Sequence, residues 1–259
     1  LGSITFSGNE ILFFTSDNRS DLINDRKLNL IEIYNSNNKL VCRYDFTYDY
    51  FNSNTSGSNY NDDASALYFK SNDEIAKRLK LISLTKSGEN PYIFTYNGTL
   101  LPLKSSFATD FWGYFNGKLS NSSFIPNPLL FGYTEVGDNG NDRMSDIDYA
   151  KAACLEKITY PTKGETEFQY ELNEFEPNQV STINNGNGLR IKSIQTTDNN
   201  AFISKLNYSY DGGISLSPQV YADDYTEDYL TDYSGYQFLI SHISIISIRS
   251  SSFNNTTLF

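Results

Sequence analysis

The sequence predicts an all-β protein: antiparallel sheet built from consecutive β-hairpins, with few short helices. Three observations predict it. Aromatic residues make up 15% of the 259, as 20 Tyr and 18 Phe, and broad rings favour a pleated surface and a cross-strand neighbour. Asn, Ser and Thr are abundant and Ala is scarce, a balance that suits polar turns rather than helices. Apolar and polar residues alternate on both sides of short turns rich in Asn, Gly, Ser and Asp, which is the hairpin pattern.

One phrase carries that pattern through the chain. ITFSGNEILFF at 4–14 is its weakest copy. LNLIEIYNSNNKLVCRYDFTY at 28–48 opens on Leu28, turns over Asn35 to Asn38 and closes on Phe46 and Tyr48. LKLISLTKSGENPYIFTY at 79–96 turns over Lys86 to Asn90 and closes on Phe94 and Tyr96. LEKITYPTKGETEFQY at 155–170 turns over Pro161 to Gly164 and closes on Phe168 and Tyr170. LRIKSIQTTDNNAFISKLNYSY at 189–210 turns over Thr197 to Asn200 and closes on Tyr208 and Tyr210. A lone two-stranded hairpin is marginal in water. Recurring hairpins gain stability by lying edge to edge in a shared sheet, each with one apolar and one wet side.

The connections read differently. Residues 52–66 lack apolar periodicity and predict a long, mobile connection. Ser71 and Asn72 before DEIAKRL predict a short capped helical turn. Ser145 and Asp148 before YAKAAC form a capping-box pattern that starts one brief helix. Residues 223–233, DDYTEDYLTDY, read as a short helix or a loop, and FLISHISIISI at 238–248 reads as strand. The whole is one β-rich domain, 1–259, with an aromatic-rich insertion at 98–150 and a looser part over 211–259. Its first residue is Leu1, and the reading is that of a fragment of a larger protein.

The insertion holds the only Trp, in DFWGYFNG at 110–117. In an extended chain Asp110, Trp112, Tyr114 and Asn116 fall on one side. Trp112 then plugs the core, or these four residues form an aromatic platform with flanking amide and carboxylate for a sugar ring, whose C–H faces are apolar and whose hydroxyls need polar partners. Acidic residues gather at 135–148, as Glu135, Asp138, Asp142, Asp146 and Asp148; several carboxylates on one loop suit a hard cation such as calcium, although the spacing does not match the EF-hand loop. A solvated loop with an Arg143 ion pair is the simpler reading, and no metal or other cofactor is expected. Cys42 and Cys154 lack CxxC spacing. They are two free thiols or one long-range disulfide, and only geometry decides.

Recognisable catalytic patterns are missing. The single histidine, His242, sits in a strand pattern, and there is no GxSxG, HExxH, phosphate loop or dinucleotide fingerprint. A carboxylate pair of the glycosidase kind needs only two acids about 5–10 Å apart. Among 31 acidic residues some pair meets that by chance. A net charge of −11 repels phosphate backbones and anionic lipid, which argues against nucleic-acid or membrane-surface partners. No apolar run is long enough to insert into a bilayer as a helix.

The Leu-x-x-Ile phrase, its polar turn and its Tyr-ended strand resemble the YD repeats of the Rhs family. DFWGYFNG, then ITYPTKGETEFQYE, then NGNGLRIKSI follow the order seen in large secreted Rhs/YD-repeat proteins of the Bacteroidetes, in the part that precedes their regular repeats. The resemblance covers about residues 10–253. Strict YD copies are few, with YSYDGG at 208–213 the nearest. The resemblance implies a secreted or cell-envelope setting and a β-rich wall that wraps or presents other polypeptides. The expected function is therefore a non-catalytic structural module, not an enzyme. Its partners would be other segments of the same polypeptide or another protein. The alternative is a carbohydrate-binding module around Trp112.

Overall fold

Ten strands follow one another in chain order and lie side by side in that same order, forming one antiparallel sheet. The computed structural model describes residues 2–17, 19–57, 71–124, 126, 141–174, 185–199, 201–210, 227–231 and 237–241. The strands are β1 (Gly2–Phe6), β2 (Asn9–Ser16), β3 (Lys27–Tyr34), β4 (Leu40–Asn52), β5 (Lys77–Lys86), β6 (Tyr92–Tyr96), β7 (Leu155–Thr159), β8 (Glu165–Glu174), β9 (Asn185–Asp198) and β10 (Ala201–Asn207). Each of the five copies of the phrase is one hairpin of this sheet. The chain divides into two compact units. The first holds nearly all of the sheet, helices α1 (Asn72–Ala76) and α2 (Ile147–Ala150), and the described residues of the insertion. The second includes the hairpin β11 (Glu227–Thr231) and β12 (Gln237–Ser241), paired antiparallel.

The registers sort the side chains as period-two alternation requires, because directly opposed residues share a side of the sheet. One side carries the rows Ile4–Ile11–Ile33–Cys42, Gly2–Phe13–Ile31–Tyr44 and Phe46–Leu84–Tyr92, and then Phe94–Ile158–Thr166. The other carries Ser3–Leu12–Glu32–Arg43 and Thr47–Ser83–Ile93–Thr159–Glu165. Ion pairs stud this second side, with Arg43 on Asp45 at 2.6 Å and Lys157 on Glu165 at 3.0 Å. The apolar side is half-buried rather than sealed. Ile75, Ala108, Phe115, Ala150 and Ala152 are buried, yet no aliphatic or aromatic side chain described in the ten strands reaches that depth.

Two of the turns share one geometry. The Asn35 amide donates to the Lys39 carbonyl (3.0 Å) and the Asn38 amide to the Asn35 carbonyl (2.9 Å). Likewise the Tyr160 amide donates to Gly164 and the Lys163 amide to Tyr160, both at 2.8 Å. The fourth residue of each turn is left-handed, Asn38 at φ 56 and Lys163 at φ 71. Asn tolerates that conformation, and its neighbour Asn35 braces the turn by accepting the Asn37 and Lys39 amides on its side chain.

Several sequence expectations take their final form here. Ser71 caps α1 by accepting the Glu74 amide at 3.1 Å, as the sequence predicts. α2 is capped by Asp146 instead of Ser145, because the Ser145 hydroxyl is engaged by a buried carboxylate described below. Glu227–Thr231 is a strand, not a helix or loop. Both cysteines are free thiols. Residues 58–70, most of the long connection, and His242 lie outside the described residues.

Candidate functional site

The sequence-predicted site forms a knot of hydrogen bonds within the insertion. Residues 110–114 do not run extended. The Asp110 carboxylate collects the Trp112 and Tyr114 amides on Oδ1, each at 2.9 Å, and the Ser145 hydroxyl on Oδ2 at 2.6 Å. The Asp110 amide donates to the Tyr114 carbonyl, Thr109 pairs with Phe115, and Gly113 closes the turn at φ 91. A carboxylate that gathers successive amides in this way stabilises a turn rather than a strand. That is why the one-sided array expected of an extended chain does not form.

Asn116 performs the next task. Its side-chain amide donates to the Asp142 carbonyl (2.9 Å) and the Met144 carbonyl (3.3 Å), while its oxygen accepts the Lys118 amide (3.2 Å). Asn121 adds a second bond to the Asp142 carbonyl at 2.8 Å. Asp110 and Asn116 are 1% and 0% exposed, so both polar members of the predicted platform serve the protein's own backbone. Arg143 seals the rim, donating to the carbonyls of Thr109, Phe124 and Asp110 between the rings of Phe111 and Phe124. Burial lowers its pKa, and the Asp110 charge opposes that shift.

The two aromatic members face the start of β9. A Cβ placed on Gly186 would lie 2.1 Å from Cζ3 of Trp112, and one on Gly188 would lie 2.6 Å from the Tyr114 hydroxyl. Both rings therefore lie directly on glycine backbone. Gly186 has φ 129, outside the range that a side chain tolerates. Trp112 is half-buried and Tyr114 is 39% exposed. The structure thus brings the four predicted residues together, with Trp112 and Tyr114 the only two presenting surface.

A second polar cluster, unmarked in the sequence, lies where the 19–25 loop meets α1, β5 and the insertion. Arg19 forks onto Asp21 at 3.0 and 2.8 Å and reaches Asp25 at 2.9 Å. Asp21 accepts the Leu79 amide on its side chain and the Lys104 ammonium on its carbonyl. Glu74 accepts the Ile23 amide, and Arg78 donates to Ser53 and to the Pro102 carbonyl. Burial by itself would raise the Asp21 carboxyl, but the Arg19 fork and the Leu79 amide outweigh it and hold the carboxyl below its ordinary value. Burial lowers Lys104. The charges meet one another and the backbone, so the cluster fastens four segments together. Only their distant spacing joins these residues, which is why local pattern does not reveal them.

The acidic stretch is engaged piecemeal. Asp142 pairs with Lys118 at 3.0 Å, Asp146 caps α2 and Asp148 pairs with Lys151 at 2.8 Å. Residues 127–140 lie outside the described residues. Among the described residues no group of three or more His, Cys, Asp or Glu side chains is placed to hold a metal ion. In comparisons with known proteins, no family model, curated protein or solved structure matches this chain.

Proposed function

We propose that the chain is a non-catalytic structural module of a secreted or cell-surface protein of the Rhs/YD-repeat kind. In this reading it is a wall, and the apolar side of its sheet lies against another segment of the same polypeptide or against a protein partner. One observation carries the reading: an apolar side continuous from Ile4 to Ile158, exposed at Ile4 and only half-buried at the residues that follow. A contiguous apolar surface of this kind marks an interaction face. The hydrogen bonding of the insertion supports the same view, since its buried polar groups are spent on protein backbone.

The test is binding of an apolar-surface dye to the purified chain. Dye fluorescence should rise with the wild-type protein. Ile33→Lys, in the middle of the apolar side, should remove most of that rise while the far-ultraviolet circular dichroism stays unchanged. A protein that leaves the dye dark would sink the reading. So would a change in Trp112 emission on titration with oligosaccharides, which favours the carbohydrate-binding alternative.

A further inference from the structure

The two outer strands of the sheet are unlike each other. β10 has the features that discourage edge pairing: a charge at Lys205 and a break in register between Phe202 and Ser204. β1 has none. It reads Gly-Ser-Ile-Thr-Phe, without a charge, a proline or a bulge, and all five residues are exposed, Ile4 at 54% and Phe6 at 50%. Among the described residues only β2 pairs with it.

We infer that the edge of β1 turned away from β2 pairs antiparallel with β1 of a second copy of this chain, about a two-fold axis at Ile4. The turn geometry sets the phase. Ser7 and Gly8 form a two-residue turn, with φ 46 and 77, between the opposed residues Phe6 and Asn9. Such a turn makes its flanking pair a hydrogen-bonded one. Alternation along the ladder then directs the backbone N–H and C=O of Ser3 and Thr5 away from β2, to the open edge. A two-fold at Ile4 sets Ser3 opposite Thr5 of the second copy, and these outward groups exchange hydrogen bonds at both pairs.

The side chains agree with that register. Ile4 meets Ile4 at the non-hydrogen-bonded position, where side chains approach most closely. Ser3 faces Thr5, a favourable hydroxyl pair. Gly2 faces Phe6, and a ring opposite a strand glycine covers its bare backbone. The register uses the whole strand, and it opposes no like charges in a chain whose net charge is −11. The apolar row Cys42–Ile33–Ile11–Ile4 then continues through the axis into its copy. Pairing β1 with β10 of another copy is heterologous and leads to a ring or an open filament, whereas β1 with β1 closes after two chains. Association through the apolar side is a different arrangement, and the Ile4→Cys cross-link below, which needs Ile4 beside Ile4, tells the two apart.

Sedimentation velocity of the full chain tests it. The wild type should show concentration-dependent doubling of mass. Ile4→Lys and Ile4→Glu, which each place like charges at the axis, should be monomeric, and mixing the two variants should restore the doubled mass. In a Cys42→Ser, Cys154→Ser background, mild oxidation should cross-link Ile4→Cys between chains but leave Ser3→Cys uncross-linked. A monomeric wild type, a dimer that survives Ile4→Lys, a mixture that stays monomeric, or an Ile4→Cys chain that does not cross-link would each overturn the inference.

Discussion

The Tyr170 hydroxyl donates to the Leu155 carbonyl at 2.6 Å, joining the last residue of one phrase to its first. The preceding hairpin repeats the contact, with the Tyr96 hydroxyl on the Leu81 carbonyl at 2.9 Å. The two are equivalent in register. Extending Ser83↔Ile93 and Lys157↔Glu167 by two places sets Leu81 opposite Thr95 and Leu155 opposite Gln169. In both hairpins the tyrosine reaches the residue opposite its predecessor. Tyr170→Phe and Tyr96→Phe should each lower stability by about 1 kcal/mol, the net worth of one hydrogen bond. Urea denaturation measures it, and an unchanged midpoint in both variants would show the contacts to be incidental.

The matching turns give a prediction of opposite sign. Lys163 is held left-handed at φ 71, a conformation that glycine adopts without strain. Lys163→Gly should raise stability by about 0.5–1 kcal/mol, despite the greater freedom of glycine in the unfolded chain. At the equivalent place Asn38→Ala should lower it by about 1 kcal/mol. Thermal melts of the two variants should therefore move in opposite directions.

Gly186→Ala tests the seating of the single tryptophan. The added methyl would stand 2.1 Å from the Trp112 ring on a backbone at φ 129. The ring must leave its place, at a cost of about 2–3 kcal/mol. Trp112 emission should shift to longer wavelength as the ring gains water. An unshifted spectrum would contradict the contact.

How far the fold was legible follows from these examples. The five hairpins could be read because alternation and turn chemistry are local, and Tyr96 and Tyr170 stand where the phrase puts them. The DFWGYFNG stretch stands out in the sequence, but its turn does not follow from alternation. Asp110 is shaped by two amides close by and by Ser145, 35 residues away, and the same bond moves the cap of α2 to Asp146. The Arg19–Asp21 cluster was illegible, since Leu79 and Lys104 reach Asp21 from 58 and 83 residues away. Glu227–Thr231 became a strand because Gln237–Ser241 pairs with it, which composition did not disclose.

Asp21 should make stability depend on acid. Its pKa is lower in the folded chain than in the unfolded one. Its contribution is therefore complete above the unfolded value, about pH 4, and is lost as the pH falls through the folded value. Asp21→Asn should flatten that acid slope. At neutral pH it should also cost about 3 kcal/mol, because Arg19 loses a partner at a buried site. Urea midpoints at pH 7 and pH 3 separate the two effects.

Cys154, partly buried beside Glu156, offers a chemical probe of its own surroundings. Burial, with a smaller contribution from the Glu156 carboxylate, raises the thiol pKa. In a Cys42→Ser chain, iodoacetamide should label Cys154 several-fold more slowly at pH 7 than it labels the unfolded protein. The rate should still be climbing at a pH where an ordinary thiol has levelled off. Rapid labelling of the folded chain would contradict this placement.

The strictly sequential strand order also fixes how the sheet comes apart under load. No strand is clasped between two that are remote from it in the chain, so tension between the ends of the sheet should peel ribbons away singly from the margins. The run from Tyr44↔Lys86 to Asn52↔Lys77, the longest register among the described pairs, should resist longest. Stretched in a force instrument, the sheet should lengthen in a series of small low-force steps rather than in one abrupt rupture.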